Sequence, residues 1–519
     1  MNSLLTHCPQ ALHTAFRFCC LFLATSLTTA LAQLKELETF TVSAQKYEQN
    51  AQEVPISMTA YDGDFQDTFQ IADLESLAAY VPNLEIQEQS PNNPGFVIRG
   101  ITSDSGASNV EPRVSIFRDG VSISKSRGSY VELFDVQRIE VLKGPQGTLF
   151  GRGAQIGAVH IIQNKAQEIQ SSELTVGYGD FDEFKLQGHL NTPLSDEIFF
   201  RAAGSYWVRD GYINNLAGGD LNGKDTKAGR FSLAWVPNEN TRLDVILNLQ
   251  EDNYPGTSFK SGTFAPPGGD TNPNSFAGLN RGEDLRIDRF VGGITALYEN
   301  RLSPDWTLSS ITNFREFDSY EEFDADGTLA YFLEFAEDAQ GEQFSQELRF
   351  NFNNRGRFIG FTGLSYFWED GSQRVPLRYD ERTVFTSFVA EQPIIGPNGR
   401  PLVLSNQDPF TGRPLIQNYV ETFTNFGETT AFEVFADGTY QFSEQFELTG
   451  GLRFTYEDIT SGFLIENNPV PFFLAPSTGN PSFLLAPSNG LVEGSDTFES
   501  VVGRLVGKYN LNQDSNLYG

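Results

Sequence analysis

From about residue 172 onward, short turns alternate with long excursions, and this asymmetry restricts the fold more than any other feature. The short connections are Pro237–Thr241, Asn300–Asp305, Asn353–Arg357, Gln441–Gln445 and Asn510–Ser515. The long ones run roughly over 209–226, 253–286, 319–341, 370–428 and 458–496. Between them lie segments with one apolar and one polar face. Leu243, Val245, Leu247 and Leu249 alternate with Arg242, Asp244, Asn248 and Gln250, with Ile246 breaking the polar set. Phe446, Leu448, Leu452, Phe454 and Tyr456 alternate with Glu447, Thr449, Arg453 and Thr455, and Phe344–Phe350 repeats the pattern with Ser345, Glu347 and Arg349. A soluble sandwich has the same period of two. Short turns at one end and long loops at the other instead mark a transmembrane β-barrel.

The remaining composition agrees. No apolar stretch after Ala32 approaches the ~18 residues of a membrane helix. Yet the chain holds 45 Phe and 18 Tyr at a mean hydropathy of −0.31, which suits strands that face lipid on alternate residues and carry aromatic girdles. A net charge of −31 argues against nucleic acid as a partner. Residues 1–32 read as a secretory signal: an apolar run, Phe18–Leu27, precedes Ala30-Leu31-Ala32, an A-x-A cleavage site. Cys8, Cys19 and Cys20 all fall inside it, so the mature chain starting at Gln33 has no disulfide, thiolate ligand or nucleophilic cysteine. His160, His189 and Met58 are all that remain of the soft metal ligands, so neither enzymatic chemistry nor a cofactor is expected.

Residues 36–166 carry a series of motifs in order. They are Val54-Pro55-Ile56-Ser57, Val81-Pro82-Asn83-Leu84, Ile98-Arg99-Gly100, Phe117-Arg118-Asp119-Gly120-Val121 and the run Arg138–Gly151, with Lys143-Gly144-Pro145 at its centre. Neither GxxxxGK[ST] nor GxGxxG is present, so the glycines do not make a phosphate loop. The series resembles the plug of TonB-dependent outer-membrane receptors of the iron–siderophore type. The resemblance implies an α+β globular plug over 54–166, seated in the lumen of an all-β transmembrane barrel that begins at 167. It also implies that 33–53 hold a TonB box and linker. The segment Glu38-Thr39-Phe40-Thr41-Val42-Ser43-Ala44 is β-prone and free of proline. That is what adding a strand to a sheet edge of a periplasmic energy transducer requires.

The same resemblance puts Thr102–Pro112, which includes Asp104, and Ser122–Tyr130 at the outward apex of the plug. Lys125, Arg127 and Tyr130 there suit an anionic, oxygen-rich ligand such as a ferric chelate; the alternative is pairing with acidic barrel walls. Arg99, Asp119, Arg138, Glu140, Gly144, Gly151 and Arg152 are expected to hold the plug together. Lumenal Glu347, Glu433 and Asp437 are the expected partners of its arginines. In the loops, Asp318, Glu321, Glu322, Asp324 and Asp326 form an acidic cluster lacking the full calcium-loop pattern. The stretch Asn468–Pro487 gathers Phe472, Phe473, Leu474, Phe483, Leu484 and Leu485, suited to a ligand vestibule or to loop-on-loop packing.

About twelve strands fit between 172 and 509, and Leu517-Tyr518-Gly519 reads as the start of another. A twelve-stranded barrel is only ~24 Å across, whereas a plug of ~120 residues needs ~35 Å. Twenty-two antiparallel strands would give ~44 Å, so the expected whole is a 22-stranded barrel in a chain of ~800 residues. The functional expectation is an energy-coupled receptor of the Gram-negative outer membrane. Its expected partners are a TonB-type transducer, membrane lipid with lipopolysaccharide, and a ferric siderophore. Cobalamin and oligosaccharides are the other ligand classes; a passive porin or an adhesin is the reading from outside the family.

Overall fold

The alternation seen in the sequence becomes an inside-out wall. The computed structural model describes residues 40–519 except 89, 104, 258, 273–277, 280–284 and 513–514; the secretory signal, Glu38, Thr39 and Asp104 lie outside the described residues. Leu452 is 63% exposed and its neighbour Arg453 is 2% exposed; Leu249 is open to the outside while Gln250 is buried. Apolar side chains face outward and polar ones face a filled lumen, the reverse of a soluble protein. Ile246, out of phase in the sequence, is fully buried on the lumenal side.

The plug comes first. Its main sheet comprises β1 (Met58–Asp62), β2 (Val114–Arg118), β3 (Val121–Ile123), β4 (Val136–Lys143) and β5 (Gly157–Gln163), in the order β1-β4-β5-β2-β3. The pair β5·β2 is parallel and the others antiparallel. Two short helices cover it. α1 (Gly63–Phe69) starts where the Asp62 carboxylate accepts from the Phe65 N–H, and α2 (Leu74–Ala78) starts with an Asp73/Ser76 capping box. Leu74, Leu77, Ile98, Ile116, Ile139 and Val159 form the apolar core between these layers.

Two motifs singled out in the sequence are the same device. Arg118 pairs with Val121 across Asp119 (φ +48°) and Gly120 (φ +87°); Ile98 pairs with Ile101 across Arg99 (φ +53°) and Gly100 (φ +79°). Two-residue hairpins with both central φ positive are type I′ turns, whose twist matches that of the strands they join. The Asp119 carboxylate also accepts from the Gln163 backbone N–H at 3.1 Å, fastening this hairpin to the end of β5.

The wall follows from β6 to β18. These are β6 (Ser171–Tyr178), β7 (Phe184–Pro193), β8 (Ile198–Arg209), β9 (Lys224–Asn238), β10 (Thr241–Tyr254), β11 (Arg286–Arg301), β12 (Trp306–Asp324), β13 (Glu334–Asn353), β14 (Phe358–Tyr379), β15 (Tyr419–Gln441), β16 (Phe446–Ile465), β17 (Val492–Asn512) and β18 (Ser515–Tyr518). All are antiparallel to their sequence neighbours in one 13-stranded sheet. Among the described residues β6 and β18 each pair on one side only, so the sheet is open. Four of the five expected short turns are present, and Asn510–Ser515 lies partly outside the described residues, between the paired β17 and β18.

The long excursions are shorter than expected. The segment 319–341 shrinks to 325–333, 370–428 to 380–418 and 458–496 to 466–491, because the strands run on into them. At ~3.3 Å per residue, the 22-residue β14 is about 70 Å long. Crossing a ~30 Å hydrocarbon core at ~40° tilt uses only about 12 residues. The remainder stands clear of the membrane with polar residues on both faces, and such stretches read as loop in the sequence.

Candidate functional site

The plug is held to the wall by charged and backbone contacts. Arg289, fully buried on β11, is the densest junction. It donates to the carbonyls of Pro91 (3.1 Å), Arg127 (2.7 Å) and Tyr130 (2.8 Å) on the plug and is anchored by Asp252 at 2.6 Å. Arg453 does the same lower down, donating to the carbonyls of Thr148 and Leu149, both at 3.2 Å, while paired with Glu433 at 2.6 Å. Asp135, a plug residue that sequence reasoning passed over, receives both Arg201 and Arg230 from the wall. Burial alone would raise its pKa, but the Arg201 hydrogen bond and the two cationic charges outweigh that and hold it below the ordinary value. The only signal in the sequence was an aspartate at the end of an apolar run.

The expected ligand-facing cations are turned into this interface. Lys125 pairs with Glu369 at 2.9 Å and donates to the Ser108 carbonyl; Arg127, 2% exposed, pairs with Glu337 at 2.6 Å and donates to the Gly106 carbonyl. Tyr130 is 1% exposed, with the Lys224 ammonium 6.0 Å from its ring. The structure therefore brings Lys125, Arg127 and Tyr130 together, but against wall carboxylates and not at an open surface. A cation in a filled lumen is stable only with a counter-charge, and the wall supplies one to each. Asp104 lies outside the described residues.

The expected partners of the plug arginines are also redistributed. Glu433 and Asp437 bind the wall's own Arg453 and Arg504, each at 2.6 Å, and Glu347 binds Arg349 at 2.9 Å and Lys46 at 3.7 Å. Arg152 pairs with Glu111 of the plug and with Glu457 of the wall at 2.9 Å, its guanidinium 4.1 Å above the Phe367 ring. Arg99 donates to Ser57 at 3.2 Å. The reason is proximity in the sheet: Arg349 shares a strand with Glu347, Arg453 stands one strand from Glu433 and Arg504 two from Asp437, so wall arginines reach these carboxylates first. Gly151 (φ +79°) lies against the Arg453–Glu433 pair, where an added Cβ would come within 3.0 Å of both side chains. Gly144 (φ +106°) turns the chain out of β4.

The segment expected to reach a transducer is stowed against the plug. An unpaired stretch is the expectation, but Thr41 pairs with Asn50 and Val42 with Gln49 in a short hairpin. Val42 and Ala44 are fully buried among Ile56, Leu142, Leu149 and Phe150 of the plug and Phe361 and Phe435 of the wall. Glu140, fully buried on β4, accepts from the Ser43 backbone N–H (2.7 Å), the Ser43 hydroxyl (3.2 Å) and Arg138 Nε (2.8 Å); Arg138 donates to the Ser43 hydroxyl at 3.0 Å. Burial pushes the Glu140 pKa up, but His160, Arg138 and the Ser43 amide together bring it down to about 2. His160, whose Nε2 accepts from the Gly120 N–H at 3.0 Å, thus serves inside the plug. Lys46 sits 4.8 Å from the Phe150 ring, its pKa lowered by burial to about 8.

Above the membrane the aromatic stretch packs loop upon loop. Phe472 and Phe473 are buried with Tyr379, Val384, Leu415 and Tyr419, and the buried carboxylate of Glu381 joins Arg413 (2.7 Å) to the Ile416 (2.7 Å) and Phe473 (3.0 Å) N–H groups. In the acidic cluster, Asp324 accepts from the N–H groups of Asp326 and Gly327, and Asp326 from those of Thr328, Phe332 and Leu333. These carboxylates build a turn. Among the described residues no group of acidic or histidine side chains is arranged to hold a metal ion, and no helix is long and apolar enough to cross a membrane.

Comparison with known proteins agrees with this architecture. Residues 50–158 match the family model of the TonB-dependent Receptor Plug Domain. The chain is 28% identical over 172 residues to the pesticin receptor of Yersinia enterocolitica, an overlap covering 32% of this chain and 25% of the relative. It is 24% identical over 415 residues to the ferric enterobactin receptor of Pseudomonas aeruginosa, 75% of this chain and 52% of that one. The matched chain thus spans between a quarter and about half of these curated relatives. Among solved structures, the ferric yersiniabactin uptake receptor FyuA of Yersinia pestis superposes with a TM-score of 0.70 at 19% identity, covering 89% of this chain and 63% of that one. The closed form of the ferric-catecholate import receptor Fiu of E. coli superposes with a TM-score of 0.64 at 15% identity, covering 91% and 65%.

Proposed function

We propose that this chain, a TonB-dependent receptor by its plug domain and its fold, imports a ferric siderophore across the outer membrane in a step driven by a periplasmic transducer. The family is one of receptors and transporters, and a lumen filled by a separate folded domain suits neither a passive porin nor an adhesin. The observation that carries the reading is the attachment of the coupling segment. Ser43 is tied to β4, the strand next to the middle of the plug sheet, through Glu140 and Arg138, and Val42 and Ala44 on either side of it are buried against the plug. Once freed, the segment offers main-chain donors and acceptors for strand addition to the transducer. A pull on it then acts on the core of the plug. Most plug–wall contacts described above are ion pairs and hydrogen bonds to carbonyls, for which water can substitute during displacement; Phe361 and Phe435 add an apolar patch.

The ligand class rests on the relatives, whose names include receptors for pesticin, ferric enterobactin and ferric yersiniabactin. Lipid contacts the exposed apolar wall face, and lipopolysaccharide meets the polar strand extensions. A barrel closed by strands beyond these thirteen completes the lumen. The test is binding and radio-iron uptake by cells producing the full-length receptor, offered a panel of ferric siderophores beside cobalamin and oligosaccharides. Saturable uptake of one ferric chelate is expected. Uptake of cobalamin or a glycan with no ferric chelate bound would overturn the ligand class.

A further inference from the structure

The plug meets strands β9–β12 across a cavity of about 40 Å³. The register aligns Arg230, Asn248, Gly293 and Arg315 in one row across the wall. Gly293 contributes no side chain to that row, which leaves space beside Arg315. From the plug, Arg118 at the end of β2 reaches the same space.

Two guanidinium groups therefore line the cavity without a carboxylate partner. The Arg118 side chain donates no hydrogen bond and joins no ion pair among the described residues, and its Nε is buried. Arg315, 9% exposed, makes one side-chain hydrogen bond among the described residues, from Nη2 to the Gly128 carbonyl at 2.7 Å. Surrounding acids are already engaged: Asp119 with the Gln163 amide and Lys165, Glu132 with Lys224, and Glu369 with Lys125. Arg230, the other cation of the row, is held by Asp135. A buried and a half-buried cation facing each other without counter-charge are unfavourable, whereas every other plug–wall cation described above has been given a partner.

We propose that a small oxyanion occupies this cavity and bridges Arg118 of the plug to Arg315 of the wall. The chemistry follows from the donors, since guanidinium forks bind two oxygens of a planar or tetrahedral anion through parallel N–H···O bonds. The size follows from the space. One water needs ~10–15 Å³, so the cavity takes about three to four oxygen-sized atoms: a carboxylate or the four oxygens of a phosphate, but not a metal chelate. Such an anion pins the plug to the wall, and its departure leaves two like charges facing each other. This inference needs only the plug seated against the wall and does not depend on what the receptor imports.

The test uses the full-length receptor in detergent with inorganic phosphate as the probe, titrated calorimetrically at fixed ionic strength. One site per chain is expected. Arg118→Gln should weaken it at least tenfold, Arg315→Lys, which keeps charge but loses the fork, several-fold, and Arg355→Gln in an exposed turn not at all. Crystals soaked in selenate should show an anomalous peak between the two guanidinium groups. Chloride at equal ionic strength should not compete; equal competition would mean simple screening and overturn the proposal. So would phosphate binding that survives Arg118→Gln, or a cavity holding water alone in the selenate crystals. Should Arg118→Gln fail to fold, Arg118→Lys and the wild-type selenate map decide.

Discussion

Glu140→Gln should release the coupling segment while leaving the plug folded. The native carboxylate accepts from the Ser43 amide, the Ser43 hydroxyl and Arg138 from a fully buried position. Glutamine keeps the volume and one acceptor oxygen but removes the charge. Charge-assisted hydrogen bonds contribute about 1.5–3 kcal/mol each against about 0.5–1.5 for neutral ones, so the loss at the shorter bond, from the Ser43 amide, is about 1–2 kcal/mol and sets the lower bound on the effect. Arg138 loses its counter-ion in both the stowed and released states, so that larger cost falls on the plug and cancels from the release equilibrium. One to two kcal/mol is a factor of about 5–30 in the released population. The chain offers a clean reporter, because its three cysteines all lie within residues 1–32. Ala44→Cys, fully buried when stowed, should react with a maleimide about 5–30 times faster in the Glu140→Gln background. Equal labelling rates in both backgrounds, with unchanged circular dichroism, would show that Glu140 does not hold the segment.

Three further outcomes follow from the same contacts. Because the Glu140 pKa is depressed to about 2, its contribution is complete above an unfolded value near ~4.5 and is lost as pH falls toward 2; labelling at Ala44→Cys, corrected for thiol reactivity, should rise only within that window. Arg289→Met removes three bonds to plug carbonyls and leaves Asp252 buried without its cation, a cost of about 3–5 kcal/mol that should appear as a lower Tm and protease cleavage of the plug. Gly151→Ala places a methyl on a positive-φ residue within 3.0 Å of Glu433 and Arg453, so destabilisation of about 1–3 kcal/mol is expected by chemical denaturation; an unchanged midpoint would refute the close approach.

The wall was largely legible because period-two alternation is a local property. Leu452 and Arg453 declare their opposite faces within two residues, and short turns such as Asn353–Arg357 need only polar residues between two such runs. Strand ends were not legible, since above the membrane both faces of β13 and β14 become polar and the alternation disappears. The Asp119-Gly120 and Arg99-Gly100 turns were read only as motifs; the glycine at the second positive-φ position is the one turn signal in each, and Arg99 gives none. Charge pairing was beyond reach. Whether Glu433 meets Arg152 or Arg453 depends on which strand stands beside it. The stowing of Val42 depends on a pocket that combines nearby Ile56 with Phe361 and Phe435 of the wall, which are remote in the sequence. A β-prone segment says that it can pair, not that it is already buried.

The central claim is that import depends on pulling the stowed segment. The most direct measurement is initial-rate uptake of radio-iron chelate by isogenic strains with and without the transducer, alongside Val42→Pro, which removes one of the segment's strand-addition donors. Uptake should fall to background in the strain lacking the transducer and in Val42→Pro, while equilibrium binding of the chelate to whole cells stays within about twofold of wild type, since the segment lies away from the outer face. Uptake at the wild-type rate without the transducer, or with Val42→Pro, would contradict the account.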